Sequence, residues 1–393
     1  MKIQQLIENH WYLEDKSIIR LLLNILLTPF SLAFYLISKT RHFYYKIGIF
    51  KSYKLPVPVV IIGNITVGGS GKTPLAKHIV KELTKHNIKA GVILRGYKSK
   101  VDKATIVKKG DDPEITGDEA LIYANNNIPV AIGRNRYLAG LKLLEEYPNI
   151  QLILSDDGMQ HYRLKRDYEI AVIDGTRILG NRFILPNGPL RETAGRLEKV
   201  DALVVNSQEK IKDNWFYTNL KLKLSATNLE NQLRLGQKLT LQRIYNPITA
   251  ETLNINDLIE NKLGLVNQLS SQQRQESITL QPANINIAAI AAIGNPERFF
   301  NFITNNGIKL THTISFPDHY SYLHHDIPTN YDIILTSEKD YTKLAKFNNE
   351  KIWIVEVESV LSSTDLITNI INLIKEKQHA RHETLRNSSL PRM

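Results

Sequence analysis

The chain contains no cysteine among its 393 residues. That absence excludes a disulfide framework, a cysteine nucleophile and thiolate metal sites, and it fits a reducing compartment. Acidic residues are in deficit, with 39 Asp and Glu against 50 Lys and Arg, for a formal charge of +11. The imbalance suggests polyanionic partners: nucleic acid, an anionic membrane face or phosphorylated substrates. A basic stripe interleaved with aromatics, expected of a nucleic-acid-binding ATPase, is missing. So is the Asn-Lys-x-Asp motif of a GTPase; the chain has Thr336-Ser337-Glu338-Lys339-Asp340 instead. No internal repeat is present. Apolar residues make up 42% and charged residues 23%, a globular composition long enough for two domains with appendages.

What is present begins with Gly63–Pro74, GNITVGGSGKTP. An apolar, β-branched run precedes it and a helical pattern, LAKHIVKELTKH, follows. A glycine-rich turn between strand and helix that ends in Gly-Lys-Thr reads as a P-loop. Its glycines let backbone N–H groups approach phosphates, and the helix N-terminus adds its dipole. Lys72 would reach the β/γ-phosphates and the Thr73 hydroxyl would hold Mg²⁺. Thr66 stands where a P-loop usually has its first glycine.

Ile18–Ile37 is strongly apolar and about long enough to span a bilayer. Lys39, Arg41, His42 and Lys46 follow it, and Trp11, Tyr35, Phe43, Tyr44 and Tyr45 lie at its ends. Such flanks suit a membrane interface. Arg20 and Pro29 argue against a clean span, so an interfacial or partly inserted helix is expected. A core helix is the alternative. No small-residue cleavage site follows, which argues against a secretory signal peptide.

From Pro56 to about Asn206 apolar runs alternate with helical segments. Strands are expected at Val59–Ile62, Ala90–Leu94, Pro129–Ile132, Gln151–Leu154, Glu169–Ile173 and Ala202–Val205. Helices are expected near Pro74–His86, Gly117–Asn126 and Arg136–Tyr147. The pattern predicts an α/β fold: a P-loop NTPase-type parallel sheet, helices on both faces and ligand beyond the carboxyl ends of the strands. A second, smaller α/β block starts at Asn284, with strands at Ile287–Ile293, Lys309–Ser315, Asp332–Thr336 and Lys351–Val357. Its helices are expected at Pro296–Asn305 and Asp365–Lys375. The division expected is residues 1–50 for the membrane helix, 55–206 for the P-loop domain and 207–283 for a linker with a Gln-rich insertion. Residues 284–377 would form the smaller domain and 378–393 a polar, disordered tail.

Ser155-Asp156-Asp157-Gly158 closes an apolar run, and a carboxylate at a strand end is the arrangement that coordinates nucleotide-bound Mg²⁺. Asp156 is the better candidate, with Asp157 assisting or contacting substrate; a plain turn is the alternative. Asp118 and Glu119 stand at a helix start, where capping and the dipole favour acids in any case. His319 is a lone histidine in SFPDHYSYLHHD, and a lone histidine is more often structural. Adjacent His324 and His325 point in different directions on any regular element, which disfavours a metal site there. Arg191 and Glu192 follow a Pro/Gly-rich turn, and Arg95, Tyr97, Arg134 and Arg136 fall near strand ends. Arginines suit bidentate phosphate binding.

GNITVGGSGKTP, RGYKSK, GDEALI, SDDGMQH, PNGPLRE, AIGNPERFF, FPDHY and TSEKD occur in this order from about Leu55 to Leu344. Together they resemble the tetraacyldisaccharide 4'-kinase family, the lipid A 4'-kinases of Gram-negative bacteria. The resemblance implies a two-domain α/β enzyme on the cytoplasmic face of the inner membrane. It would use ATP and Mg²⁺ to phosphorylate the 4'-hydroxyl of a lipid-linked disaccharide 1-phosphate, with the membrane surface and no nucleic acid as partner. It implies that Thr66, Val67, Gly68, Gly69, Ser70, Gly71, Lys72 and Thr73 bind ATP. It further implies Asp118 as general base with His319 as its partner, Asp156 and Thr73 at Mg²⁺, and Asp157 at the reacting centre. Glu119, Arg136, Gln160, His161, Arg191 and Glu192 fall on motif positions expected near the substrate. Leu94 stands where the family often has a serine before RGY. A P-loop GTPase or partitioning-type ATPase acting on a membrane partner, and a nucleic-acid-binding ATPase, are the rival readings.

Overall fold

The computed structural model describes residues 3–12, 17–212, 215, 219–220, 232–253 and 285–388, with side chains from 6 to 380. The Gln-rich stretch at 268–275 lies outside these. The chain divides into two compact units. Unit 1 takes the described residues up to Asp111, then Tyr123–Leu239, then those from Ser359 on; unit 2 takes Asp112–Ile122 and Thr240–Glu358.

Unit 1 opens with α1 (Ile3–Tyr12) and α2 (Ile18–Lys46). Ser17 caps α2, its hydroxyl accepting from the Arg20 N–H at 3.4 Å. The helix runs through Pro29 and past Ile37, so it is longer than the apolar run implied. Its 29 residues span about 44 Å at 1.5 Å each, long and apolar enough to cross a membrane. Ile18, Ile19, Leu21, Leu22, Ile25, Leu26, Phe30 and Ile37 are exposed. Ser31 is the buried residue of this helix. Its hydroxyl donates to the Ile184 carbonyl at 2.8 Å and accepts from the Asn187 N–H at 3.0 Å.

The core of unit 1 is a sheet in the order β3 (Thr105–Val107), β4 (Val130–Ile132), β2 (Ala90–Leu94), β5 (Leu152–Asp156), β1 (Val59–Gly63), β6 (Tyr168–Asp174), β7 (Ala202–Asn206), then the start of β8 (Leu233–Tyr245). Only β3 runs antiparallel in this set. Strands β1, β2, β4, β5 and β7 are buried throughout, as parallel strands covered on both faces require. The helices α3 (Lys72–Lys85) and α6 (Arg136–Glu146) pack on it. In α3 the buried Leu75, Ala76, Ile79, Val80 and Leu83 recur at helical spacing.

Unit 2 carries α4 (Pro113–Thr116), the start of α5 (Asp118–Asn125), α7 (Pro296–Asn305) and α8 (Glu338–Leu344). Its parallel sheet has the order β11 (His312–Ser315), β10 (Ile287–Ala291), β12 (Ile333–Ser337), β13 (Ile352–Leu361), and β9 (Thr252–Leu253) pairs antiparallel with the end of β8. Alternation along β10 splits the core. Ile287, Ala289 and Ala291 join Phe299, Phe300 and Ile303 of α7, while Ile290 meets Tyr322, Ile334 and Leu344 on the other face.

Four expectations are corrected. The linker expected at 207–283 contains β8, a 13-residue strand. Its Arg234, Lys238, Gln242 and Arg243 mask the strand pattern; Leu235, Gln237 and Ile244 are what it buries. The tail expected after Gln378 is helical to Ser388, because α9 (Asp365–Ser388) continues past Lys375. Helix α9 also belongs with unit 1 rather than with the smaller domain: it packs on α3, buries Leu366, Ile367, Ile370 and Ile374, and pairs Lys377 with Asp167 at 2.9 Å. Conversely, Asp112–Ile122, expected inside the P-loop domain, belongs to unit 2.

Asn187 ties α1 and α2 to the rest of unit 1. It is fully buried and its side chain meets the His10 Nε2 at 2.9 Å and the Thr28 hydroxyl at 3.3 Å. Asn187→Ala leaves the buried His10 nitrogen unpaired, a loss of about 1–3 kcal/mol. The variant is expected to melt below the wild type in the same detergent; an unchanged melting temperature would remove Asn187 as a brace.

Candidate active site

The P-loop leaves β1 at Gly63 and enters α3 at Lys72. Its left-handed backbone angles fall at Gly68 (φ 106°) and Gly71 (φ 91°). Position 66 is not among them, so Thr66 is tolerated where a glycine is usual. Thr66 bridges Leu190 in antiparallel fashion and is buried. A Cβ on Gly69 would meet nothing within 4 Å, so the loop leaves open space there. A Cβ on Gly71 would lie 2.1 Å from the Asn206 Nδ2.

Side chains outside the expected phosphate-contacting stretch Thr66–Thr73 brace this loop. The Asn64 amide donates to Thr66 Oγ1 and Ser70 Oγ, each at 3.3 Å. Asn206, at the end of β7, donates to the Ser70 carbonyl at 3.0 Å, and Gln237 of β8 donates to the Gly71 carbonyl at 3.1 Å. Asn206 and Gln237 are buried. The sequence reading missed all three. A polar residue ending an apolar run, as in VVN, was the available signal for Asn206.

Parallel pairing places Asp156 beside Ile62, at the carboxyl end of the sheet. Asp156 Oδ2 accepts from the Tyr123 hydroxyl at 2.6 Å and the Thr73 hydroxyl at 3.3 Å, and Oδ1 accepts from the Asp157 N–H at 2.8 Å. Burial pushes the Asp156 carboxyl up, against the pull of Lys72. Asp157 has φ 50° and pairs with Lys72 Nζ at 3.5 Å and Arg191 Nη1 at 3.0 Å. Burial would raise its pKa, but Lys72 and Arg191 hold it well below the usual range.

Most of the expected substrate residues form one polar network here. Arg191 Nη1 also reaches Gln160 Oε1 at 3.4 Å, Gln160 Nε2 donates to Glu192 Oε1 at 2.8 Å, and the Tyr162 hydroxyl donates to Glu192 Oε2 at 2.5 Å. Arg136 is buried and donates to the Asp156 carbonyl at 2.9 Å, which makes it a brace of the strand end. His161 is half-buried; burial, with Arg136, Arg166, Arg41 and Arg163, lowers its pKa to about 3, so the ring is neutral.

Thr73 and Asp156 present adjacent oxygens at the head of α3. Two hard oxygen ligands with room for phosphates suit Mg²⁺, which is held by one or two protein groups and keeps several waters. Among the described residues no cluster of three or more His, Asp or Glu offers a dedicated metal cage.

Asp118, Glu119 and His319 all belong to unit 2. Asp118 opens α5 and is buried; its oxygens lie 2.8 and 3.1 Å from His319 Nδ1, and Lys343 Nζ is 3.5 Å from Oδ2. Burial alone would raise the Asp118 pKa. The His319 hydrogen bond and the Lys339 and Lys343 charges outweigh it and hold the carboxyl at about 2. His319 takes the left-handed region, φ 60°, fixed by its N–H to the Ala292 carbonyl at 3.2 Å. Glu119 contributes negative charge near Lys339.

A parallel sheet with a glycine-braced phosphate loop and a carboxylate on the neighbouring strand defines a P-loop nucleotide-binding protein. Comparison with known proteins narrows the class. The family description tetraacyldisaccharide-1-P 4'-kinase matches residues 23–375, and the chain belongs to that family. The tetraacyldisaccharide 4'-kinase of Chromobacterium violaceum is 38% identical over 382 residues, covering 96% of this chain and 100% of the relative. That of Histophilus somni is 36% identical over 375 residues, covering 94% and 99%. LpxK from Aquifex aeolicus, solved in complex with ATP, superposes with a TM-score of 0.69 at 26% identity, covering 90% of this chain and 99% of that one.

Gly71→Ala tests the cradle. The added methyl strains the left-handed turn and strikes Asn206, so ATP affinity is expected to fall at least about tenfold, or 1.4 kcal/mol. Calorimetric titration of ATP that gives the wild-type affinity would show that the loop bends around this contact.

Proposed function

We propose that the chain transfers the γ-phosphate of ATP to the 4'-hydroxyl of a tetraacylated glucosamine disaccharide 1-phosphate, giving lipid IVA. The P-loop N–H groups and Lys72 bind the phosphates, and Arg191 with Asp157 steadies Lys72 before nucleotide enters. Thr73 and Asp156 would hold Mg²⁺, which would supply charge neutralisation to the phosphates when bound. Gln160, His161, Arg191 and Glu192 supply polar contacts for the sugar, and Arg136 supports the strand end behind them.

One observation favours a kinase over a simple ATPase: an ionised carboxylate, Asp118, hydrogen-bonded to a histidine. The acceptor hydroxyl needs a group to receive its proton as the new O–P bond forms. Asp118 receives it, and His319 orients the carboxylate through Nδ1. A carboxyl at about 2 is a weak base, which suits a loose transition state in which proton transfer comes late.

The substrate's acyl chains lie in a bilayer and its sugars in water. The exposed apolar residues of α2 would seat the enzyme at the cytoplasmic face of the inner membrane. The aromatic and basic end of the helix, from Tyr35 to Lys46, would lie at the headgroups.

Mass spectrometry of ATP reactions with the lipid acceptor and with nucleic acid separates the kinase from its rivals. A +80 Da lipid product is expected, and Lys72→Ala should abolish it while the protein stays folded. Near-normal turnover in Lys72→Ala refutes the nucleotide assignment.

The base is tested by a double-mutant cycle. Asp118→Ala should lower kcat about 10²–10⁴-fold with little change in KM for ATP. His319→Ala should cost less, and the double variant should be little worse than Asp118→Ala. Losses that multiply would mean independent residues.

A further inference from the structure

The Asp118–His319 pair is not isolated in unit 2. Helix α8, in the TSEKD segment, sends two lysines to it. Lys339 Nζ lies 3.3 Å from His319 Nε2 and 2.9 Å from Asp318 Oδ1. Lys343 Nζ lies 3.5 Å from both Asp118 Oδ2 and the fully buried Asp340 Oδ1. The Lys339 side chain is only 16% exposed. Burial works against its charge, but Asp118, Asp318 and Glu119 more than offset that and raise its pKa, so it stays an ammonium.

We propose that Lys339 is a positioning residue that holds His319 neutral in its Nδ1–H tautomer, leaving Asp118 as the one group of the pair able to accept a proton. The inference rests on the reading of Asp118 as base. Its argument is a count of protons. An ammonium has three donors and no acceptor. At 3.3 Å from a ring nitrogen it can only donate, so Nε2 must carry its lone pair. The ring's single proton then sits on Nδ1, where it donates to Asp118 at 2.8 Å. Both ring nitrogens are thereby assigned by their partners.

The charges around the ring act in both directions. Asp118 and Glu119 from α5, and Asp318 from its own loop with Oδ2 3.8 Å from Nε2, favour an imidazolium. Lys339 and, through Asp118, Lys343 from α8 oppose it, with Asp340 behind Lys343. Lys339 is the cation in direct contact, and it occupies the atom an added proton would need. Without it the ring could protonate and share charge with Asp118, which would weaken the carboxylate as an acceptor. His319 itself cannot take the substrate proton while Nε2 is engaged. The lysine thus divides labour inside the pair: the histidine orients, the aspartate accepts.

The test uses the full-length protein in detergent micelles with ¹⁵N-labelled histidine. Long-range ¹H–¹⁵N correlation at neutral pH, with the His319 signals identified by their loss in His319→Gln, reads the tautomer directly. Protonated Nδ1 and bare Nε2 are expected. A ring protonated at Nε2, or at both nitrogens, in the wild-type spectrum overturns the proposal. The second readout is kcat against pH. In Lys339→Met the acid limb should move up by about 1–2 pH units, the effect of losing one like charge at contact distance. KM for ATP should change little, and Lys339→Arg should bring the limb back toward wild type. A Lys339→Met profile that overlays the wild type overturns the proposal. If Asp118→Ala keeps full kcat, the base assignment fails instead, and the tautomer measurement identifies that failure as separate.

Discussion

A single buried carboxylate sets the geometry of the nucleotide-binding unit. Asp156 sits at the end of a central strand where water cannot reach it, and an ionised carboxyl there is costly unless surrounded by donors. The fold supplies Tyr123, Thr73 and the Asp157 N–H to its two oxygens, and Lys72 and Arg136 add opposing charge. Each donor comes from a different element. The start of α3 must lie beside the end of β5, and α5 must deliver Tyr123 within 2.6 Å. Satisfying this carboxylate and building the phosphate cradle are therefore one structural requirement.

The cradle itself is held from behind by amides. Asn64, Asn206 and Gln237 donate to loop oxygens, and the small Gly71 leaves Asn206 room to do so. On its other edge the loop is tied to the turn before Arg191. The Val67 N–H donates to the Pro189 carbonyl at 2.9 Å and the Arg191 N–H to the Ile65 carbonyl at 2.6 Å. That same turn is gripped by the N-terminal hairpin through Trp11, Ser31 and Asn187. Helix α2 is therefore not a detached anchor. Its polar residues Thr28 and Ser31 are spent on this contact, while its apolar residues remain exposed.

In the second unit a buried carboxylate is again surrounded by donors and cations. Asp118 is buried among donors, and the cations of α8 keep it ionised. A left-handed histidine backbone, uncommon outside glycine, is fixed by one hydrogen bond to Ala292, and Nδ1 meets the carboxylate. Two carboxylates of similar local sequence thus acquire different surroundings: Asp156 is pushed up by burial, whereas Asp118 is pulled down by its partners.

The sequence by itself determined the alternating α/β pattern, the phosphate loop and the strand-end Asp156. All three are local: short apolar runs alternating with helical segments, a glycine spacing, an acid closing an apolar run. Family motifs added Asp118 and His319, which nothing local distinguished from a helix-start acid and a lone histidine. Only the tertiary structure decided what touches them. Asn206, Gln237 and Tyr123 act through side chains far from the loop in sequence, and polar residues at such positions look like any others. The polar strand β8 is not legible in this way, because burial on one face is created by neighbours and is not written in the segment, and α9, expected as far as Lys375, runs on to Ser388. Lys339 and Lys343 lie 20 and 24 residues beyond His319 and more than 200 beyond Asp118. Their charges matter because folding removes the water that would otherwise screen them, and no pattern along the chain records that loss.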